Sequence, residues 1–221
     1  MNLPRKRLLS AAALTAGLLA VSAGVTGLTL SHGHAPDAHL PAKPSTVAAP
    51  DFSPVPNQTA QAPGGESGEA QVALPVSLTI PAIGVKTSLI HLGLQSNGSL
   101  QVPSTTAVAG WYTESPRPGA VGSAVIAGHV DSYQGPGVFY WLRNLKSGER
   151  VYVTRADGSV AVFSVTSVQA YPKAAFPTSI VYGATPDAEL RLITCGGTFD
   201  STTGHYLSNI IAYATFVQGQ G

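Results

Sequence analysis

From Val76 onward the chain is a series of short apolar runs cut by glycine and proline. That punctuation confines the region to β structure. Val76 to Ile80 and Val85 to Leu89 flank Pro81 and Gly84 as strand, turn, strand. Asn97-Gly98 marks a tight turn between Leu94 and Leu100. Ala124 to Ala127 is a short buried run ended by Gly128. Ser147-Gly148 leads into Arg150 to Thr154, and Asp157-Gly158 into Val160 to Val168, a pair that reads as a hairpin. Glu189 to Thr194 and Asn209 to Val217 are the last strands. Phe139 to Leu145 carries aromatics and Leu at helical spacing and predicts one short helix. Tyr171 to Asp187, with three Pro and a Gly, predicts a long loop with at most a helical turn. About eight short strands at regular spacing make the fold all-β, a closed or nearly closed barrel.

The residues before Val76 have another character. Arg5, Lys6 and Arg7 precede Leu8 to Leu30, a run of 23 residues without a charge. At ~1.5 Å per residue that run makes a helix of roughly 35 Å, enough for a hydrocarbon core of about 30 Å. The basic cluster would stay in the cytoplasm and send the rest outside. Residues 1–30 therefore predict a membrane anchor. The competing reading is a cleaved signal peptide, whose apolar core is usually only about 7–15 residues. Residues 31–75 hold eight Pro and one aromatic, Phe52, too little apolar surface to offset the entropy of ordering. They predict a disordered spacer in which His32, His34 and His39 are solvated. Residues 76–221 are the right size for one domain.

Charge and cysteine count narrow the function. The formal net charge is +1, so there is no basic surface of the kind a nucleic-acid binder needs to displace counterions. One cysteine excludes an internal disulfide and a Cys-based metal cluster. No cofactor or metal is expected. That cysteine, Cys195, follows Leu190-Arg191-Leu192-Ile193-Thr194 and meets Gly196-Gly197. This predicts a thiol at the end of a buried strand, partly open, where a substrate backbone can come close. His129, in Ala127-Gly128-His129, also follows a buried strand at a glycine, where a rigid scaffold opens into a loop. Brought together, a Cys and a His make a nucleophile with its acid–base partner. His91 lies in an apolar stretch and reads as packed; His205 reads as structural.

These residues resemble the sortases, exported cysteine transpeptidases of Gram-positive bacteria. Leu192-Ile193-Thr194-Cys195 matches the family's L-x-T-C strand end, and Gly128-His129 lies upstream in the family's order. Ile80-Pro81-Ala82-Ile83-Gly84-Val85 looks like the family's first strands. Gly137-Val138-Phe139 to Leu145, then Gly148-Glu149-Arg150-Val151, match the stretch after the histidine. Cys195-Gly196-Gly197-Thr198-Phe199-Asp200, with Tyr206 and Asn209, is most similar to the class F branch.

The resemblance implies an eight-stranded β-barrel with one or two short helices, a Cys nucleophile, an acid–base His and an Arg that stabilises the tetrahedral intermediate. Cys195 and His129 carry over. Many members place the Arg on the strand after the Cys, but no Lys or Arg follows Cys195 here, and Asn209 stands near the matching position. Arg191 is the nearest candidate, on the face of Cys195 but about 13 Å along a strand from it. It can alternatively grip the substrate or pair with Asp187 or Glu189; Arg117, Arg143, Arg150 and Arg155 are the other candidates.

The implied reaction cleaves an LPxTG-type sorting signal between Thr and Gly through a thioacyl enzyme and passes the acyl group to a cell-wall precursor amine. Thr194, Ile193 and Gly196 would floor the substrate groove, and Ile180 and Val181 would wall it. The partners implied are surface proteins bearing the signal and the membrane through residues 1–30, with the domain outside the cell as a monomer. The alternative is an anchored β-domain that binds wall polymer, its Cys a packing residue. Other exported cysteine enzymes fit poorly, because the His precedes the Cys by 66 positions.

Overall fold

The structure, a computed structural model, describes residues 72–220. The apolar run 8–30 and most of the spacer lie outside them. Among the described residues no helix is long and apolar enough to cross a membrane.

The strands are β1 (Pro75–Ile80), β2 (Val85–Leu92), β3 (Ala109–Tyr112), β4 (Gly122–Gly128), the short pair β5 (Asp131–Ser132) and β6 (Gly135–Pro136), β7 (Arg150–Arg155), β8 (Val160–Pro172), β9 (Ala188–Asp200) and β10 (His205–Gln220). Eight of them close a barrel in the order β1-β2-β3-β4-β9-β10-β8-β7, the architecture expected. β2 with β3 and β4 with β9 pair in parallel; the other neighbours are antiparallel.

Alternation decides which side chains enter the barrel. Leu78 and Ile80 of β1, Ile126 of β4, Phe163 of β8, and Leu190 and Leu192 of β9 meet in the interior with Trp111 and Phe139. A second apolar cluster lies on the outer face of β4, β9 and β10. There Val125, Ala127, Ile193, Cys195 and Ile211 pack under Leu92, Leu100, Tyr112 and Val181. Val181 belongs to α1 (Thr178–Tyr182), in the connection between β8 and β9. Covered on both faces, β4 is buried at every position and β9 from Leu190 to Gly196, as parallel-paired strands generally are.

Four local expectations need correction. Phe139–Leu145 is not a helix: it is a run of turns containing one 3₁₀ turn at Leu142–Asn144. Its bonds span three residues, Leu142 N–H to Phe139 O at 3.0 Å and Leu145 N–H to Leu142 O at 3.2 Å. Three-residue spacing buries Phe139, Leu142 and Leu145 together as well as an α-helix would. β3 had no sequence signal, because its residues, Ala-Gly-Trp-Tyr, open with two poor strand formers. His91 is exposed, although its ring meets Trp111 edge-on at 5.8 Å. Cys195 does not end its strand: β10 pairs with β9 beyond it, out to Asp200, so the thiol is interior to the strand and buried.

Three buried tyrosines tie stability to alkaline pH. Burial is the first cause that pushes the Tyr112, Tyr182 and Tyr213 phenols above their ordinary value of 10.0. In the unfolded chain they ionise near 10, before they do in the fold, so the unfolded state binds fewer protons above that pH. Stability should hold to about pH 9 and fall as pH rises past about 10. Urea midpoints at pH 8 and pH 11 check this; equal midpoints contradict it. Tyr182→Phe should lessen the fall.

Candidate active site

The pairing of β4 with β9 sets the geometry. Gly122 faces Ala188 and Ala127 faces Ile193, a constant offset of 66 positions. His129 precedes Cys195 by the same 66. The ladder ends at the pair Ala127 and Ile193, so His129 directly follows the end of β4 and Cys195 lies two residues further along β9. Side chains alternate along the strands, so Val125 and Ala127 of β4 share a face with Ile193 and Cys195 of β9. That shared face is the outer one.

His129 is fixed by its surroundings. Its Nε2 lies 2.7 Å from the carbonyl oxygen of Pro103. A carbonyl only accepts, so Nε2 carries the hydrogen, and in the neutral ring Nδ1 is left as the acceptor. Its own carbonyl accepts from Phe139 N–H at 2.9 Å. Gly137 passes so close that a Cβ there would stand 2.5 Å from His129 O. The glycine is what lets the loop after β4 fold back and hold the histidine.

Cys195 is 1% exposed. Directly across from it on β10 is Asn209, also buried. Residues opposed in this way on an antiparallel pair have Cβ atoms about 4.5–5.5 Å apart and point to the same face, so the carboxamide lies beside the thiol. Arg191, four pairs further along, has other engagements. It forms an ion pair with Glu189, and its guanidinium carbon stands 4.6 Å from the centre of the Tyr213 ring. Among the described residues this is the only ion pair.

A recess of about 220 Å³ opens onto Cys195 from the end of the barrel. Its walls include Asp131, Tyr140, Arg143, Thr194 and Tyr206. The Tyr206 hydroxyl donates to Asp131 Oδ2 at 2.5 Å. Burial, then that bond, then the nearby negative charges push the Tyr206 phenol up to about 12. Arg143 projects from the 3₁₀ turn, its guanidinium 6.0 Å from the centre of the Tyr140 ring.

The other residues expected at a site divide among these surroundings. Ile193 is packed in the outer cluster, and Thr194 and Gly196 line the recess. Val181 is fully buried beneath the β8–β9 connection, whereas Ile180, on the same short helix, is 59% exposed. The sequence reading missed Asp131 and Tyr140 as site residues and left Arg143 among several candidates. The available signal was position: Asp131 is two residues past His129, and Arg143 lies in the segment that folds back on it. Among the described residues no group of three or more His, Cys, Asp and Glu is placed to hold a metal ion.

The family model described as "Sortase domain" matches residues 78–217. The chain belongs to the sortase family. No curated protein matches its sequence. Among solved structures it is similar to sortase A of Listeria monocytogenes, at 19% identity and a TM-score of 0.51 over 67% of this chain and 90% of that one. It is similar to sortase E1 of Streptomyces coelicolor, crystallised with a tripeptide in the active site, at 20% identity and 0.51 over 68% and 93%. It is also similar to the SrtA sortase of Actinomyces oris, at 23% identity and 0.51 over 73% and 89%. At these identities the likeness is one of fold.

The partners of Arg191 predict a stability effect. Arg191→Ala strands the half-buried Glu189 carboxylate and removes the guanidinium from Tyr213, a loss of about 2–3 kcal/mol, toward the lower end for a broken buried pair. Arg191→Met, which keeps the packing volume, should lose less than Arg191→Ala. Urea unfolding of the two variants measures both; an unchanged midpoint for Arg191→Ala contradicts the bracing role.

Proposed function

We propose that the domain is a cysteine transpeptidase that cuts an LPxTG-type sorting signal between Thr and Gly and joins the acyl fragment to an amine of the cell wall. The observation that carries this reading is the parallel pairing of β4 with β9, with His129 just past the end of one strand and Cys195 on the other. Family membership supports it.

In the first step the Cys195 sulfur, reactive as thiolate, attacks the Thr carbonyl carbon. The C–S bond forms, the C–N bond breaks, and His129 protonates the leaving Gly nitrogen. An amine then attacks the thioester carbon, the C–S bond breaks, and His129 takes the amine's proton. The signal lies along the outer face, over Ile193 and beneath the segment that carries Ile180 and Val181. Charge develops on the carbonyl oxygen in both steps. A carboxamide beside the sulfur, from Asn209, is the donor best situated to meet it. The sequence expectation gave that role to Arg191, whose guanidinium is held by Glu189 and Tyr213.

The finer parts of the reading rest on sequence. The stretch Cys195 to Asp200 supports a class F likeness. The basic residues before an uncharged run of 23 support an anchor at residues 1–30, with the domain outside the cell and acting as a monomer.

A second reading draws on the 1% exposure of Cys195: the thiol only packs, and the domain binds wall polymer. Incubating the full chain with an LPxTG-type peptide and an amine separates the two. The enzyme reading expects a peptide–amine product, and a covalent adduct with a thiol-reactive peptide analogue that is absent in Cys195→Ala. An intact peptide together with an unmodified wild-type thiol would overturn it. Asn209→Ala should lower kcat by about 10²-fold, the usual cost of one lost oxyanion donor. A rate within a few-fold of wild type removes Asn209 from that role.

A further inference from the structure

The connection from β8 to β9 carries a charge that its surroundings leave unanswered. It opens with a 3₁₀ turn, Lys173–Ala175, and runs through Phe176 into α1. Lys173 is half-buried, yet its Nζ is withdrawn from the surface and has no hydrogen-bond partner. No carboxylate of the described residues pairs with it, since the one ion pair among them is Arg191 with Glu189. A buried ammonium needs a partner, because the water it has lost is otherwise not replaced. A second observation lies further along the same connection. The Tyr182 hydroxyl is also buried without a partner. The Phe176 ring stands between, 6.3 Å from the Tyr171 ring and 6.0 Å from the Tyr182 ring. Both unpartnered groups can donate, so what this cover lacks is an acceptor. Register places the connection beside the thiol but apart from the recess, whose walls do not include Lys173. Cys195 faces Asn209, and Asn209 faces Tyr171. Tyr171 packs in the outer cluster with Cys195, and Lys173 follows two residues later, where the chain leaves β8. Two strand spacings of about 4.8 Å separate β8 from β9 by about 10 Å. The four-carbon stem of a Lys and the side chain of a bound residue span that gap together.

We propose that Lys173 reads the variable residue of the sorting signal, the one just before the scissile Thr, and selects a carboxylate there. The proposal deepens the transpeptidase reading above and rests on it. A signal laid in extended form along the outer face alternates its side chains. With the Thr carbonyl at Cys195, the preceding residue turns its side chain toward the β8–β9 connection. A Glu at that place meets the ammonium in a charge-assisted hydrogen bond, which restores the partner that burial removed. A Gln offers only a neutral acceptor, and a Lys sets two like charges together.

The test offers the full chain three LPxTG-type peptides that differ only in the variable residue: Glu, Gln or Lys. Cleavage kcat/KM for the Glu peptide should exceed that for the Gln peptide by about tenfold, the worth of one charge-assisted hydrogen bond, with the Lys peptide lowest. The preference should persist at high salt, because the ammonium is buried. In Lys173→Met, which keeps the apolar stem, the Glu-to-Gln ratio should fall to about one, and Lys173→Arg should keep a preference for Glu. A partly unfolded variant loses rate on all three peptides alike, so the ratio is insensitive to folding. Equal use of Glu and Gln by the wild-type chain, or a wild-type ratio in Lys173→Met, overturns the inference and leaves the enzyme reading intact. No cleavage of any peptide overturns the enzyme reading and the inference with it. One further readout needs no turnover. Without peptide, Lys173→Met should raise the urea midpoint, because it no longer buries an unpaired charge. An unchanged or lowered midpoint shows that the ammonium is already served within the fold, and overturns the inference.

Discussion

The parallel pairing of β4 with β9 is the constraint on which the rest depends. These strands are 66 residues apart in sequence and are joined through β5 to β8, so nothing local brings them together. Only barrel closure does. A slip of one residue in that ladder would turn every side chain of β9 to the other face. Cys195 would then point into the barrel beside Phe163 and Leu190 while His129 stayed outside. The interior, filled by Leu190 and Leu192 against Ile126 and Phe139, is what forbids the slip. The same alternation that packs the interior therefore turns the thiol to the outer face.

The outer face is held to a different standard. Besides Leu92, Leu100 and Tyr112, its cover includes a short 3₁₀ turn and the five-residue α1, which bring Phe176 and Val181 against the sheet. Few apolar groups anchor that cover compared with the barrel wall, so it is the part whose local opening costs least. A buried thiol under such a cover differs from one in the barrel centre.

How much could be read from the sequence follows from which signals are local. Turns at Asn97-Gly98, Ser147-Gly148 and Asp157-Gly158 were legible because a glycine there takes a positive φ, +81°, +90° and +83°, and few other residues do. β3 was not legible, because its place comes from parallel pairing with β2 and not from its own residues. The thiol was located, but its depth was misjudged. Glycines after Cys195 look like a strand end, yet β10 extends far enough to pair past them. The charged wall of the recess was missed for the same reason as β3. Asp131, Arg143 and Tyr206 line one recess only because β5, the 3₁₀ turn and the start of β10 converge there.

The polar content of the β9–β10 pair argues against a purely structural role for that face. Reading outward from the centre, Ile193 opposes Ile211, but Cys195 opposes Asn209 and Arg191 opposes Tyr213. A buried surface needed only for packing is more stable when such positions are apolar, since each buried polar group loses water that its partners only partly replace. Arg191 and Tyr213 compensate each other through the ring contact and Glu189. Cys195 and Asn209 face each other across β9 and β10, and His129, fixed by Pro103 and Gly137, follows the end of the neighbouring β4. Local rules tend to be broken in this way where chemistry requires it.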